Sequence, residues 1–432
     1  MTPAARLSAA IEVFAANESG RRPAADILRD WGRDHRFAGS GDRAAISALV
    51  FDALRRRASA GWLMQDAQAR AVLLGTLHLV RGLEVDAISA LCDGGRFGPA
   101  PLSEAERAQL AAPSLEGAPA HVAGDYPEWI DAPLAAVFGE ERAAEGAALA
   151  ARAPLDLRVN TLKALPDKAA AALDHLGPRA GQWSPLALRI DFETDAKAPP
   201  ITAEPAFLKG QVEIQDEGSQ IAAILAAPPR GGQVLDLCAG GGGKTLEFAA
   251  LMDNAGQLYA YDSDMRRLAP IHERVKRAGA HNVQVRTPRG RADVLEDLAG
   301  RMDLVLVDAP CTGTGTWRRN PDAKWRIRPG ALAERVREQA QILDQASAFV
   351  RPSGRLAYVT CSLLDEENGA QVRAFLARHP DFSAVPPTEA VLALGGRGLD
   401  LARAALTGHE GLLMTPRRTG TDGFFVSILK RG

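Results

Sequence analysis

The C-terminal half of the chain repeats a strand, a loop and a helix, and this repetition constrains the fold more than any other feature. Strand patterns occur at "QVLDL", "GQLYAY", "HNVQV" and "RMDLVLV", and each is followed by a loop that contains glycine or an acid. The run "LVLV" suits a parallel sheet covered by helices on both faces. From about residue 211 we therefore predict a doubly wound α/β sheet, whose ligands bind beyond the carboxyl ends of its strands.

Two further regions precede this sheet. Residues 1 to about 110 have helical apolar spacing, as in "DRAAISALVFDALRRR" and in "AQARAVLLGTLHLVRG", which ends at Gly82. The sequences "LDLRVNTLK" and "SPLALRIDF" alternate like strands. We predict an all-α domain over 1–125, a small α+β module over 126–210 and the α/β domain over 211–432.

The composition indicates the cellular compartment of the protein and the kinds of ligand that it can bind. The 432 residues carry a formal net charge of -2, so any surface for nucleic acid must be local. The four cysteines lie far apart, which favours a reducing, cytoplasmic compartment. Neither a signal peptide nor a membrane span is apparent, and the histidines lack metal-binding spacing. We expect a monomer without a bound metal.

The glycine-rich loop "CAGGGGKT" follows the first strand of the predicted sheet and allows a close approach to a ligand. It is too short for a Walker A loop, because the position five residues before Gly243 is Cys238. It also fails the dinucleotide fingerprint, because the third glycine position after Gly240 and Gly242 is Thr245. The loop therefore favours a different nucleoside cofactor.

Acidic residues follow successive strands of the same sheet. Asp236, Asp262 and Asp308 end the first, second and fourth strands, and Asp293 follows the third. Any one of them alone would more often be a helix cap, but four at strand ends favour a binding site. An acid after the second strand suits a ribose diol, and an acidic edge suits a cofactor without phosphates. S-adenosylmethionine, which carries a sulfonium cation, meets both conditions.

Two cysteines also follow strands, and we expect them at one edge of the sheet. Cys361 ends "GRLAYVTC", and Cys311 follows "LVLVDAP". The pattern "SLLD" from Ser362 to Asp365 predicts a helix start whose dipole stabilises a thiolate. Either cysteine alone would more often be inert core.

A pair of thiols suits methylation of carbon 5 of cytosine. A thiolate that adds to carbon 6 makes carbon 5 nucleophilic, and a protonated Asp308 near ring nitrogen 3 would favour this addition. A second thiolate can help to remove the carbon-5 proton. The residues alone leave open which thiol attacks.

Five motifs together resemble the RsmB/NSUN family of RNA cytosine-5 methyltransferases over residues 127–432. They are "DAPCTGTGTWRRNPDAKW", "YVTCSLLDEEN", "VLDLCAGGGGKT", "QDEGSQIAA" and "LRVNTLK". The preceding residues are similar to the NusB-like RNA-binding domain of bacterial RsmB members. The resemblance implies a Rossmann-like class I methyltransferase sheet, S-adenosyl-L-methionine as cofactor, Cys361 as the nucleophile and Cys311 as the residue that assists release.

The resemblance also implies roles for the residues around the glycine loop. The cofactor-binding positions would be Cys238, Ala239, Gly240, Gly241, Gly242, Gly243, Lys244, Asp262, Asp293 and Asp308. Lys244 would orient the cofactor or Asp308, so both belong to the predicted catalytic set. The family has Ala-Pro where this chain has Gly240-Gly241, which makes the loop more flexible at a cost of about 1 kcal/mol or less. We expect modestly weaker cofactor binding.

The stretch after Cys311 is rich in aromatic and basic residues. Trp317, Arg318, Arg319, Lys324 and Trp325 offer stacking faces and phosphate contacts, which predicts an RNA-binding surface. Arg286, Arg289 and Arg291 would extend it. The alternative is a solvated arginine-rich face with the tryptophans in the core. We expect 16S ribosomal RNA as the substrate; the alternatives are transfer RNA or a non-catalytic role in ribosome assembly.

Overall fold

The computed structural model describes residues 1–18, 22–191, 199–290 and 293–432. Within these ranges, no helix is long and apolar enough to cross a membrane. The chain forms two compact units, one of Met1–Arg152 with Trp317–Arg328 and one of Ala153–Thr316 with Pro329–Gly432. It therefore passes from one unit to the other at three points.

This division differs from the three domains predicted from the sequence. Residues 126–152 are helical and belong with the N-terminal helices, and the small α+β module groups with the α/β domain. The segment 317–328 lies in the first unit, although the strands before and after it belong to the second.

The first unit consists of helices and connecting loops in its described residues. Its N-terminal helices are α1 (Pro3–Asn17), α2 (Ala24–Asp34), α3 (Ser40–Arg55), α4 (Arg57–Leu63), α5 (Ala69–Arg81), α6 (Val85–Leu91), α7 (Glu104–Ala111), α8 (Ala120–Ala123), α9 (Asp131–Phe138) and α10 (Arg142–Ala150). As predicted, α5 ends at Gly82, whose φ of 61° is the left-handed conformation that glycine adopts readily. Phe14 of α1, Val50 of α3 and Leu74 of α5 lie in one buried core.

The second unit begins with a four-stranded antiparallel sheet. Its strands are β1 (Leu155–Val159), β2 (Arg179–Ala180), β3 (Ala187–Ile190) and β4 (Val212–Ile214), in the order β2-β3-β1-β4, and it is accompanied by α11 (Pro166–Ala172) and α12 (Pro205–Leu208). Leu157 and Leu188 lie opposite each other in the β1–β3 register and share a small core. The two predicted strands of this module are β1 and β3.

A nine-stranded sheet forms the rest of the second unit. Its strands are β5 (Gln233–Asp236), β6 (Gln257–Tyr261), β7 (Val283–Arg286), β8 (Met302–Asp308), β9 (Val350–Thr360), β10 (Phe382–Ala384), β11 (Leu406–Thr407), β12 (Leu412–Met414) and β13 (Phe424–Arg431). The helices in this part of the chain are α13 (Glu217–Ala226), α14 (Gly243–Leu251), α15 (Met265–Leu268), α16 (Ile271–Ala278), α17 (Ala323–Arg326, in the first unit), α18 (Pro329–Ser347), α19 (Gly369–Arg378), α20 (Pro387–Ala390), α21 (Gly398–Ala404) and α22 (Pro416–Thr419).

The strand order confirms the predicted doubly wound fold. It is β11-β12-β13-β9-β8-β5-β6-β7, with β10 paired to β13. The five strands from β9 to β7 run parallel, and β13 joins them antiparallel to β9. The chain proceeds from β5 to β6 and β7 and then returns to β8 on the other side of β5. The topological switch between β5 and β8 is where such sheets bind ligands, and Asp236 and Asp308 end these two strands.

Candidate active site

A cleft of about 500 Å³ opens at the switch point between β5 and β8. Predicted residues that line it are Asp236, Cys238, Ala239, Gly240, Gly241, Gly243, Lys244 and Asp308, and residues that the sequence analysis did not select are Ser219, Arg266, Arg267 and Pro270. Ser219 belongs to "QDEGSQIAA", one of the five motifs that carry the family resemblance, so the sequence offered a way to find it. Arg266 and Arg267 belong to none of these motifs. The structure therefore assembles most of the predicted cofactor positions in one place.

Asp262 follows β6 and shapes the glycine loop. Its carboxylate accepts hydrogen bonds from the backbone nitrogens of Gly240 and Asp264, each at 2.9 Å. Gly240 has a φ of 50°, a left-handed conformation that suits glycine. A carboxylate has about four acceptor positions, so Asp262 keeps capacity for a ribose hydroxyl. Asp293 is exposed and accepts a hydrogen bond from the Leu295 nitrogen. Of the predicted cofactor positions, Gly242, Asp262 and Asp293 are not among the residues that line the cleft.

Asp236 contributes an unpaired carboxylate oxygen beside the cleft. The hydroxyl of Thr245 donates to Oδ2 at 2.6 Å, whereas the buried Oδ1 has no hydrogen-bond partner among the described residues. Burial raises the pKa of Asp236 to about 7.

Lys244 and Asp308 form an ion pair at the same cleft. Lys244 Nζ lies 2.7 Å from Asp308 Oδ2, and the lysine side chain is buried. Burial alone would lower the pKa of Lys244. The negative charge of Asp308 and the hydrogen bond to it outweigh the effect of burial, so the pKa of Lys244 is raised overall. Lys244 thus contacts Asp308, one of the two groups that the family resemblance predicts it to orient.

The two thiols meet next to this ion pair. Cys311 Sγ lies 3.4 Å from Cys361 Sγ, because the cysteines follow the parallel neighbours β8 and β9. The hydrogen bond with Cys361, together with burial, raises the pKa of Cys311 well above its ordinary value. A Cys311 thiol that keeps its proton can donate it in a hydrogen bond to a Cys361 thiolate.

The predicted helix start at Ser362 is wrong. A 3-10 turn spans Asp365–Glu367, and α19 begins only at Gly369. The Ser362 hydroxyl donates to the Glu367 carboxylate and accepts from the Leu364 nitrogen. Hence no helix dipole of this origin acts on Cys361.

The predicted RNA-binding stretch lies largely in the interior of the first unit. Trp317 and Lys324 are each 1% exposed, and Arg318 is 5% exposed. Arg319 and Trp325 are half-buried. In this conformation Trp317, Arg318 and Lys324 offer no open face to a base or phosphate, which corrects the predicted surface. The predicted Arg291 lies outside the described residues.

The end of α3 explains the burial of this stretch. Lys324 Nζ donates to the carbonyl oxygens of Arg55 at 2.8 Å and Asp125 at 2.7 Å. Trp325 Nε1 donates to the carbonyl of Leu54 at 2.6 Å. The last carbonyl groups of a helix lack donors within the helix. Lys324 and Trp325 supply donors to the carbonyls of Arg55 and Leu54 at the end of α3. Burial lowers the pKa of Lys324 to about 7.

Comparisons with known proteins identify the family. The family model described as 16S rRNA methyltransferase RsmB/F matches residues 223–430. The ribosomal RNA small subunit methyltransferase B of Xanthomonas campestris is 33% identical over 408 residues, which cover 90% of this chain and 89% of that protein.

Solved structures agree with this match. The crystal structure of PH0851 has a TM-score of 0.72 at 25% identity and covers 100% of this chain and 99% of its own. A methyltransferase homolog protein from Pyrococcus horikoshii has a TM-score of 0.57 at 25% identity, covering 72% of this chain and 98% of its own. With its Rossmann-like class I methyltransferase sheet, the chain belongs to the RsmB/F family of methyltransferases.

Proposed function

We propose that this protein transfers a methyl group from S-adenosylmethionine to carbon 5 of a cytosine in 16S ribosomal RNA. The observation that carries the proposal is the 3.4 Å separation of the Cys311 and Cys361 sulfur atoms beside the cleft. A methyltransferase that acts on oxygen or nitrogen needs no second thiol at this position. The named small-subunit ribosomal RNA methyltransferase relative supports the choice of RNA.

The cleft fits the proposed cofactor. S-adenosylmethionine supplies the methyl group and carries a sulfonium and an amino group. Asp236 and Asp308 line the cleft and would attract such a cation, and Asp262 has acceptor capacity for the ribose. The glycine loop from Cys238 to Gly243 would lie against the nucleoside because it lacks bulky side chains.

The two thiols would act in sequence. The Cys361 thiolate adds to carbon 6, and the electron pair of the carbon 5–carbon 6 double bond becomes available at carbon 5. Asp308, held by Lys244, would lie near ring nitrogen 3. After carbon 5 is methylated, Cys311 removes the proton from carbon 5, the double bond re-forms and the bond between Cys361 and carbon 6 breaks.

The coupling between the thiols supports this order. The hydrogen bond with Cys361 is the main cause of the raised pKa of Cys311. When the Cys361 sulfur is bonded to carbon 6, it no longer holds a negative charge, so this cause is removed. Cys311 can then lose its own proton to solvent more readily and, as a thiolate, accept the proton from carbon 5.

The test is a methylation assay with labelled S-adenosylmethionine and total RNA from a strain that lacks this gene. Ribosomal particles from the same strain form a second substrate. We expect label at one cytosine of 16S RNA, mapped by bisulfite sequencing. Label in transfer RNA would make the proposed substrate wrong. Cofactor binding without label on either substrate would favour a non-catalytic role in ribosome assembly.

A further inference from the structure

Glu367 lies beneath the two thiols and is fully buried. Oε1 of its carboxylate accepts from the Thr312 nitrogen at 2.8 Å and from Gln339 Nε2 at 3.0 Å. Oε2 accepts from the hydroxyl groups of Thr312 and Ser362. Four donors from three parts of the second unit therefore converge on one carboxylate.

Two of these partners are the direct neighbours of the reactive residues. Thr312 follows Cys311, and Ser362 follows Cys361. Glu367 thus bridges the loop after β8 to the loop after β9. It does so at the two residues that directly follow the cysteines. Gln339 of α18 strengthens the bridge, because its amide also donates to the Pro310 carbonyl at 3.0 Å.

The neighbouring residues hold Glu367 itself in place. The Tyr358 hydroxyl, which is buried in β9, donates to the Glu367 carbonyl at 2.6 Å. Asn368 accepts from the Thr360 hydroxyl at 2.5 Å and donates to the Ser362 carbonyl at 2.9 Å. The carboxylate is therefore anchored to the same strand end that presents Cys361.

We propose that Glu367 is a positioning residue that fixes the distance between the Cys311 and Cys361 sulfur atoms. Its role in methyl transfer rests on the proposed function, because two thiols that act on adjacent ring atoms must keep a constant separation. Burying a carboxylate is unfavourable unless hydrogen bonds compensate for the loss of water. Here the compensating donors are Thr312 and Ser362, in the two cysteine loops, and Gln339, which also bonds to the Cys311 loop at Pro310.

The separation can be measured without RNA or methyl transfer. The protein dithiol reacts with glutathione disulfide to give the Cys311–Cys361 disulfide and two reduced glutathione molecules. At equilibrium, the ratio of protein disulfide to dithiol gives the effective concentration of one thiol at the other. Peptide mapping by mass spectrometry distinguishes this disulfide from products of Cys92 and Cys238.

Two substitutions with similar volume separate bridging from packing. Glu367→Met removes all four acceptor contacts, and we expect the effective concentration to fall about tenfold or more. Glu367→Gln keeps an acceptor for the two N–H donors and faces hydroxyl groups that can rotate to accept, so we expect a change of less than about threefold. Asp365→Asn is the control, because Asp365 lies in the same turn and pairs with Arg373 at the surface.

An unchanged effective concentration in a folded Glu367→Met protein would overturn the proposal. If that protein does not fold, Thr312→Val removes only the hydroxyl contact on the Cys311 side, and an unchanged value would overturn it equally. A second readout is kinetic: kcat should fall in Glu367→Met while KM for S-adenosylmethionine stays unchanged. If the thiol measurement responds but the wild-type protein does not methylate RNA, the proposed function fails while the positioning role stands.

Discussion

Cys311 and Cys361 are fifty residues apart in the sequence, yet their sulfur atoms lie 3.4 Å from each other. The long helix α18 separates them along the chain, and the parallel pairing of β8 and β9 brings their loops together. The hydrogen bond between the two sulfur atoms, together with burial, raises the pKa of Cys311 well above its ordinary value.

Replacing Cys361 tests the nucleophile. We expect Cys361→Ala to lower the methylation rate by at least about 10³-fold, because carbon 5 of cytosine is not activated without a thiol at carbon 6. Cofactor binding should persist, since Cys361 does not line the cleft. Calorimetric titration with S-adenosylmethionine provides that control, and methylation by a folded Cys361→Ala protein would contradict the assignment.

Replacing Cys311 should have a different effect. In Cys311→Ala, addition and methyl transfer can occur, but removal of the carbon-5 proton is impaired, so RNA should remain covalently attached to Cys361. The adduct would migrate slowly in a denaturing gel and require S-adenosylmethionine. The double variant with Cys361→Ala should give no adduct, and normal turnover by Cys311→Ala would show that the assigned division of roles is wrong.

The glycine loop allows a test of cofactor affinity. Gly241 is outside the left-handed region, and its nitrogen donates no hydrogen bond among the described residues, so proline would remove no hydrogen bond there. A Cβ at this position would lie 3.0 Å from Nη1 of Arg274, so the end of that flexible side chain must shift slightly. We expect Gly241→Pro to stabilise the protein by about 0.4–1 kcal/mol by restricting the unfolded chain. We also expect the Kd for S-adenosylmethionine to fall about two- to fivefold, which calorimetry would measure.

The neighbouring position is the matched control. Gly240 has a φ of 50° and donates its N–H to Asp262, and proline is incompatible with both. Gly240→Pro should therefore weaken cofactor binding strongly. Unchanged or weaker binding by a folded Gly241→Pro protein would refute the idea that flexibility limits affinity.

Lys324 predicts a specific pH dependence of stability. Its pKa is about 7 in the folded protein, against an ordinary value of 10.5, so between these values the unfolded chain binds the proton and the folded chain does not. This contribution to the free energy of unfolding is therefore smallest below pH 7 and rises with pH up to about 10.5. Between pH 7 and pH 9 we expect an increase of about 2 kcal/mol.

The comparison with Lys324→Met isolates this effect, because other titrating groups are common to both proteins. The variant should be less stable at pH 9, since the carbonyls of Arg55 and Asp125 lose their donor, and it should lack the extra rise with pH. Substitution of the exposed Lys168 by Met is the control. Equal pH profiles for wild type and Lys324→Met would contradict the prediction.

The sequence was most informative about residues that directly follow a parallel strand, because the alternation of strands and helices is enough to predict where these residues lie. Parallel strands present their carboxyl ends at one edge, so Asp236, Asp308 and the glycine loop could be placed together before any coordinates. Asp293 follows β7, which lies two strands away from β5 in the sheet, and its place in the cofactor site stays a prediction. The distance of a strand end from the switch point depends on the order of the strands in the sheet, and the order of the strands along the chain does not reveal it.

Residues that depend on distant partners were predicted poorly. A stretch of tryptophan and lysine looks like an RNA-binding surface until the partner is known, and the partner of Lys324 is a carbonyl 269 residues away. Ser362 looks like a helix cap, but its hydroxyl donates to the Glu367 carboxylate, and the following Leu363 nitrogen donates to the hydroxyl of Thr314, 49 residues away. In both cases, tertiary hydrogen bonds decide what the local pattern cannot.

The passage of residues 317–328 through the first unit has a consequence for how the protein can be divided. A truncation at residue 125, the predicted end of the all-α domain, or at Arg152 would remove the part of the first unit with which Trp317–Arg328 is grouped and which supplies the carbonyl partners of Lys324. The N-terminal fragment would in turn lose the side chains that cap α3. The two units are therefore not exchangeable modules, and neither half should behave as an autonomous folding unit when expressed alone.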